Sequence, residues 1–270
     1  MKLRLCLFWC VVLGLPVASH AETFSEPKVV ELRLGGTEEA FAYNSLVLTE
    51  ALQAAGYQVA ITYVENVPMS RMEVMLERGE VSAHILGETA TRSARYLPVR
   101  VGMTDNLVGQ RVLFIKSGDQ PRFNDVHSLA ELRERNLVAG LGEAWRDVAI
   151  WQANTLPLYT LSGDWKYLYG MVASGRRSVD YLPRGAHEMA LEWKQFPGLD
   201  VEENLVFVYE KDHILYVTPT DEALHALLQD VLQEAEASGL IRRLAREFFQ
   251  AAYEPPVNLD QRRVLRLKPD

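Results

Sequence analysis

Arginine is the side chain best suited to hold a carboxylate, because its guanidinium stays charged and its planar fork meets two oxygens at once. Arginines at element junctions are therefore the first residues to read. The stretch SVDYLPRGAHEMALEW, Ser178 to Trp193, opens with the β-prone Val179, Tyr181 and Leu182. It meets Pro183, Arg184 and Gly185, then continues with Met189, Ala190 and Trp193 at helical spacing. Arg184 thus stands where a strand turns into a helix, the kind of junction at which open α/β sheets bind ligands. The partial positive charge of a helix N-terminus adds to its suitability for an anion. Glu188 and Glu192 follow on the helix, so Arg184 can equally pair with them and only brace the turn. A second junction, GLGEAWRD, has glycines that let backbone N–H groups come close to a ligand. There Trp145 could stack on a solute and Arg146 could add charge, while Asp147 is expected to cap the following helix. Trp145 could as well be core packing. Tyr43, Trp165 and Tyr181 are candidate aromatic walls, and Met69, Met72 and Met75 are expected to be core filler.

Several other chemistries lack their motifs, although carboxylates are plentiful and acid–base catalysis is neither shown nor excluded by sequence. There is no glycine loop ending in Gly-Lys-Ser/Thr and no Gly-x-Ser-x-Gly elbow. HEMAL, His187 to Leu191, misses a zinc-protease helix because Leu191 replaces the second histidine. His84, His127, His213 and His225 show no ligand spacing, so neither a metal nor a cofactor is expected. The 2 cysteines, Cys6 and Cys10, lie in an apolar N-terminal segment preceded by Lys2 and Arg4 and followed by Ser19-His20-Ala21. That pattern reads as a signal peptide over residues 1–21, cleaved after Ala21. Residues 22–270 then carry no cysteine, hence no disulfide or thiol nucleophile, and are expected to work outside the cytoplasm. The formal net charge of −8 argues against nucleic acid or an anionic membrane surface as partner. No later stretch approaches the ~20 apolar residues of a membrane span.

The elements that must position these side chains alternate. VVELRLGG reads as a strand, Thr37 as the cap of a helix rich in early acid, YQVAITYV as a strand, SRMEVMLERG as a short helix and VSAHIL as a strand. QRVLFIK is a strong strand, SLAE fits a capping box, and DWKYLYGMVASG is a helix stopped at Gly175. NLVFVYE and HILYVTP are strands, and Thr220 is expected to cap a long helical region broken near Gly239. The tail from Glu254 reads as a surface strap. Such alternation means an α/β protein with mostly parallel sheet.

Three segments taken together resemble the extracellular solute-binding proteins of family 3, which are type II periplasmic binding proteins. They are GEVSAHILGETATRSARYLPV, SLAELRERNLVAGLGEAWRD and LYGMVASGRRSVDYLPRGAHEMALEW; ASGLIRRLAREFF is similar to the family's closing helix. The resemblance spans nearly all of residues 22–270 and looks like a divergent branch. It implies a two-lobed fold with mixed, mostly parallel sheets, helices on both faces and two crossing strands as hinge. The crossings are expected near Asn106–Gln110 and His213–Thr218, giving lobe one as 22–107 plus 217–270 and lobe two as 108–216. In amino-acid-binding members, the arginine of a Thr-x-x-Arg loop grips the ligand carboxylate. Thr89-Ala90-Thr91-Arg92 matches it, making Arg92 the first candidate. Those members offer an aspartate to the ligand ammonium where this chain has Pro183-Arg184-Gly185, with Glu188 one turn on. The departure points away from a plain α-amino acid and toward a carboxylate or other anion.

The resulting expectation is a monomeric periplasmic protein that captures a small polar solute between its lobes for an ABC-type importer. The ligand set would be Arg92, Arg184, Trp145, Arg146, Tyr43, Tyr181, Glu188 and Trp165. One rival keeps the fold as a sensor for a membrane receptor. Another is an enzyme, for which Glu143 and Glu188 are the carboxylates to inspect.

Overall fold

The computed structural model describes residues 28–175 and 178–269; the leader assigned to 1–21 lies outside them. The chain begins with β1 (Val29–Gly35), α1 (Glu38–Ala54), β2 (Gln58–Val64), α2 (Met69–Glu77), β3 (Ala83–Gly87), α3 (Ala90–Arg95) and β4 (Leu97–Val99). There follow β5 (Gln110–Lys116), α4 (Leu129–Glu134), β6 (Ala139–Gly142), α5 (Asp147–Ala153), β7 (Leu158–Leu161) and α6 (Tyr167–Ser174). Next come β8 (Tyr181–Gly185), α7 (Ala186–Glu192), β9 (Leu199–Val201), β10 (Leu205–Val208) and β11 (His213–Val217). The chain closes with α8 (Glu222–Ala237), α9 (Leu240–Phe248) and β12 (Arg263–Arg266).

Local chemistry explains most boundaries. Thr37 accepts a hydrogen bond from the Ala40 N–H at 3.2 Å and opens α1. Ser128 does the same for Glu131 at 3.2 Å and opens α4. Gly175 takes φ +63° and ends α6, a conformation glycine adopts without strain. Two expected caps are corrected. Asp221, not Thr220, accepts from the Leu224 N–H at 2.8 Å and opens α8. Asp147 caps nothing at α5, because its carboxylate is spent on Arg111 and Tyr209.

Two sheets result. The first runs β2-β1-β3-β11-β4, with β1 parallel to β2 and β3, and β11 antiparallel to β3 and β4. The second runs β12-β10-β5-β8-β6-β7, with β9 also on β5. In it β5 is antiparallel to β8 and β10, while β8, β6 and β7 are parallel. Helices cover both faces of the second sheet, so its central strand reads as a continuous apolar run, with Val112 to Ile115 of β5 fully buried; in the first sheet β1 alternates instead, Glu31 and Arg33 facing out. In the first lobe α1, α8 and α9 close one face around Leu32, Leu34, Leu48 and Leu232. Met72 and Leu76 of α2 close the other with Tyr96 and Tyr216. Met72 and Met75 are core, as expected, whereas Met69 is half exposed. In the second lobe α5 packs with Trp151 on one face, and α6 and α7 pack on the other.

The crossings differ from the expected positions. β4 lies in the first sheet and β5 in the second, so the outward crossing is residues 100–109. β11 lies wholly in the first sheet, which moves the return crossing to 209–212. The tail is also reassigned. After α9 the chain crosses a third time, and β12 adds to the second sheet parallel to β10. The cause is apolar burial: Leu265 and Leu267 enter the core beside Trp151, and Ala252, Val257 and Leu259 enter the core beside Phe114. Residues 250–269 therefore belong with lobe two, not with lobe one.

Candidate functional site

A cavity of about 360 Å³ opens beside the hinge, at the lower end of the range for small-molecule sites. The second lobe builds most of it. Arg111 comes from the start of β5, Trp145, Arg146 and Asp147 from the β6–α5 junction, and Trp165 from the turn before α6. Pro183 and Arg184 end β8, and His187 and Glu188 follow in the first turns of α7. The crossings add Val108, Tyr209, Lys211 and Asp212, and the first sheet adds Gly87 and His213.

Most charge in this cavity is already matched. Arg184 is buried and gives Nη2 to Glu192 at 2.6 Å and to Glu188 at 3.0 Å, with Nε on Glu192 at 2.9 Å. Its guanidinium lies 4.6 Å from the ring centre of Trp165 and 5.6 Å from that of Trp145. Tyr169 donates to Glu192 at 2.6 Å and completes the cluster. The brace reading of Arg184 is therefore the geometry observed. Arg111 meets Asp147 with two parallel bonds, at 2.8 and 3.1 Å, and Tyr209 donates to the same carboxylate at 2.8 Å. Glu188 bridges the two arginines, 3.0 Å from Arg184 and 3.6 Å from Arg111, and accepts the Gly185 N–H at 2.9 Å.

This arrangement sets the protonation states. Burial alone would raise the Glu188 carboxyl, but Arg184, Arg111 and His187 outweigh it and hold it below the usual carboxylate range. It does not have the raised value of a catalytic base, and Glu143, the other carboxylate considered for catalysis, is exposed and away from the cavity wall. His187 and His213 are pushed below the usual imidazole range, chiefly by burial, so both are neutral at pH 7. Arg111 is raised despite its burial because Asp147, Tyr209 and Glu188 favour the cation.

Arg146 is different. It lines the cavity, half-buried, and its side chain makes no hydrogen bond or ion pair among the described residues. It reaches across to the first lobe: a Cβ placed on Gly87 would lie only 3.1 Å from its Nη1. A side chain at Gly87 would make the guanidinium shift by a few tenths of an ångström.

Of the residues singled out from sequence, Arg184, Trp145, Arg146, Glu188 and Trp165 come together here. Arg92, Tyr43 and Tyr181 do not. Arg92 pairs with Glu73 at 3.1 Å and donates to the Gly87 carbonyl at 3.1 Å, fixing the end of β3. Tyr43 is buried between Phe248 and Phe249 and donates to the Met103 carbonyl at 2.7 Å, tying α1 to the outward crossing. Tyr181 is fully buried in lobe two, where its hydroxyl accepts from Trp151 at 3.1 Å. Sequence reading missed Arg111, His187, Tyr209, Lys211 and Asp212. The available signal for Arg111 was a cation directly before the apolar run Val112 to Ile115. Among the described residues no cluster of three or more histidines and acids could hold a metal, and no helix is long and apolar enough to cross a membrane.

No protein-family model and no curated protein matches the chain. Solved structures do. The chain is similar to the probable amino-acid ABC transporter extracellular-binding protein YtmK of Bacillus subtilis, at 14% identity and TM-score 0.59, over 82% of this chain and 97% of that one. It is similar to YckB of Bacillus subtilis at 15% identity and TM-score 0.54, over 82% and 91%. It is also similar to an ancestral cationic amino acid solute binding protein at 14% identity and TM-score 0.51, over 81% and 95%. At this identity the likeness is one of fold: the chain has the two-lobed α/β fold of type II periplasmic binding proteins.

Proposed function

We propose that the protein is a periplasmic solute-binding protein that holds a small anionic solute in the cavity beside its hinge and delivers it to an ABC-type importer. The observation that carries this reading is the unpaired Arg146 in a cavity whose other arginines are matched. A half-buried cation without a counter-ion is poorly solvated, and an anionic ligand relieves that cost. Trp145 and Trp165 wall the cavity, and the Arg184–Glu188–Arg111 chain of charges holds that wall in one geometry. The solute would stabilise the conformer in which Arg146 and the first lobe's Gly87 and His213 face the same space. The roles first considered for Arg92, Tyr43 and Tyr181 are not part of this reading.

A thermal-shift screen of the purified chain tests it. The panel contains carboxylic acids, phosphate esters, amino acids, neutral sugars and polyamines, each with the wild type and Arg146→Ala. Ligand at 100 times its Kd adds about 2.7 kcal/mol of stability, an easily seen rise in Tm. The expected result is a rise with one or more anionic solutes that disappears in Arg146→Ala. A rise only with polyamines or sugars overturns the anion reading, and no rise with any solute overturns the binding reading.

A further inference from the structure

We infer that the cavity is built for a carboxylate that carries no α-ammonium group, mounted on an apolar body. The inference rests on the proposed solute-binding role and narrows its substrate class. An α-amino acid brings a cation and an anion a few ångströms apart, and its site must supply an acceptor for the first and a donor for the second. The cavity has the donor, Arg146. Its carboxylates, however, are committed.

Asp147 is 8% exposed at its side chain, and its oxygens take two bonds from Arg111 and one from Tyr209. Asp212 takes four: the Thr104 and Asn106 N–H groups, each at 2.9 Å, the Thr104 hydroxyl at 2.6 Å and the His213 N–H at 2.7 Å. Four bonds fill the acceptor capacity of a carboxylate, so Asp212 serves the hinge. Glu188 is more open, but it stands between Arg184 and Arg111. An ammonium beside it would stand close to both guanidiniums, and like charges in a partly desolvated cleft repel. The carbonyl of Gly87, a cavity residue from the first lobe, is held by Arg92 at 3.1 Å. The neutral imidazoles of His187 and His213 offer no negative charge. One spare cation and no spare anion is the complement of an acid without an amine. The remaining wall supplies the apolar half: Val108, Ile150, Pro183 and the two tryptophans.

The test uses matched pairs that differ at the amine: phenylalanine against phenylpyruvate, leucine against 4-methyl-2-oxopentanoate, and phenylalanine against 3-phenylpropanoate. Each is titrated calorimetrically into the wild-type chain, then into Arg146→Gln and Arg146→Lys checked for an unchanged melt. The expected result is that in at least one pair the amine-free acid binds tenfold or more tighter than its partner. Arg146→Gln should then weaken that acid at least tenfold, and Arg146→Lys, which keeps the charge and loses the fork, should weaken it less. Equal or tighter binding of the amino acids overturns the inference while leaving the solute-binding reading in place. Binding of no member of any pair also overturns it. If the wider thermal-shift panel still finds a solute, the binding reading survives; if that panel is silent too, both fall.

Discussion

Arg262 should be among the most costly residues to replace in the second lobe, and the reason can be worked through from its contacts. The side chain is fully buried. It donates to the carbonyls of Val257, Glu202, Leu205 and Pro256, and its Nη1 lies 3.6 Å from the buried Glu202 carboxylate. It thereby pins the strap that leads into β12 onto the turn that leads into β10. Burial pulls the guanidinium down to about 10, opposed by Glu202 and Glu203, so it remains protonated at neutral pH and the whole charge is lost on substitution. Arg262→Ala strands four carbonyls and a carboxylate. A hydrogen bond from a charged donor contributes about 1.5–3 kcal/mol, but four such bonds to one group do not add. Breaking a buried pair from one side costs about 3–5 kcal/mol. Glu202 keeps the N–H groups of Asn204 and Leu205 and the amide of Gln120, which tempers the loss. The expectation is therefore about 4 kcal/mol, a large part of the roughly 5–15 kcal/mol available to a folded chain. In urea, with m near 3 kcal/mol/M, the midpoint should fall by about 1.3 M, followed by tryptophan fluorescence because Trp151 sits in the core that β12 completes. A loss under about 1 kcal/mol would refute the view that this guanidinium holds the third crossing in place.

Three further outcomes follow from the structure. Burial lowers His84 to about 4, against about 6.5 when unfolded, with Arg92 adding to the shift and the Gly35 backbone and Glu73 opposing it. The unfolded chain therefore takes up this proton first, so its contribution is intact above pH 6.5 and fades as pH falls toward 4; one such group is worth up to ~3 kcal/mol. His84→Leu should flatten the fall in urea midpoint between pH 6.5 and 4.5 relative to wild type, and an unchanged slope would contradict this. Tyr43→Phe removes the bond to the Met103 carbonyl and should cost about 1 kcal/mol in the same assay, with no change in affinity for any solute found. Gly87→Ala forces Arg146 Nη1 to move, since 3.1 Å is too close for a methyl group; it should weaken an anionic solute by about 1 kcal/mol, roughly fivefold, with the melt almost unchanged.

The fold was legible because its signals are local. Thr37, Ser128 and Gly175 act at their own positions, and the continuous apolar run of β5 announces a central strand without reference to anything distant. What was not legible depends on long-range pairing. YEPPVNLDQRRVLRLK looks like a polar strap, since its inward residues, Val257, Leu259, Leu265 and Leu267, are scattered among prolines and charges, and nothing local says which sheet edge accepts them. Asp147 looks like a helix cap because the residue that claims it, Arg111, lies 36 positions earlier. Arg92 matches a ligand-gripping loop by its neighbours, but Glu73, 19 positions earlier, takes its fork.

The contrast between Arg184 and Arg146 shows how far a helical spacing argument can be carried. Both stand where a strand of the second sheet gives way to a helix, so position alone does not separate them. Their continuations do. Along α7 the residues four and eight after Arg184 are Glu188 and Glu192, and helical spacing returns both to the arginine's side, where they bind it at 3.0 and 2.6 Å. Along α5 the residues four and eight after Arg146 are Ile150 and Asn154, and both are spent elsewhere. Ile150 is core, and Asn154 turns to the carbonyls of Ile150 and Lys268. The nearest acid, Asp147, faces Arg111 instead. A guanidinium whose own helix supplies carboxylates one and two turns on is a structural cation. One whose helix supplies none one and two turns on, and whose neighbour across the cleft is a glycine, keeps a fork that no side chain among the described residues takes.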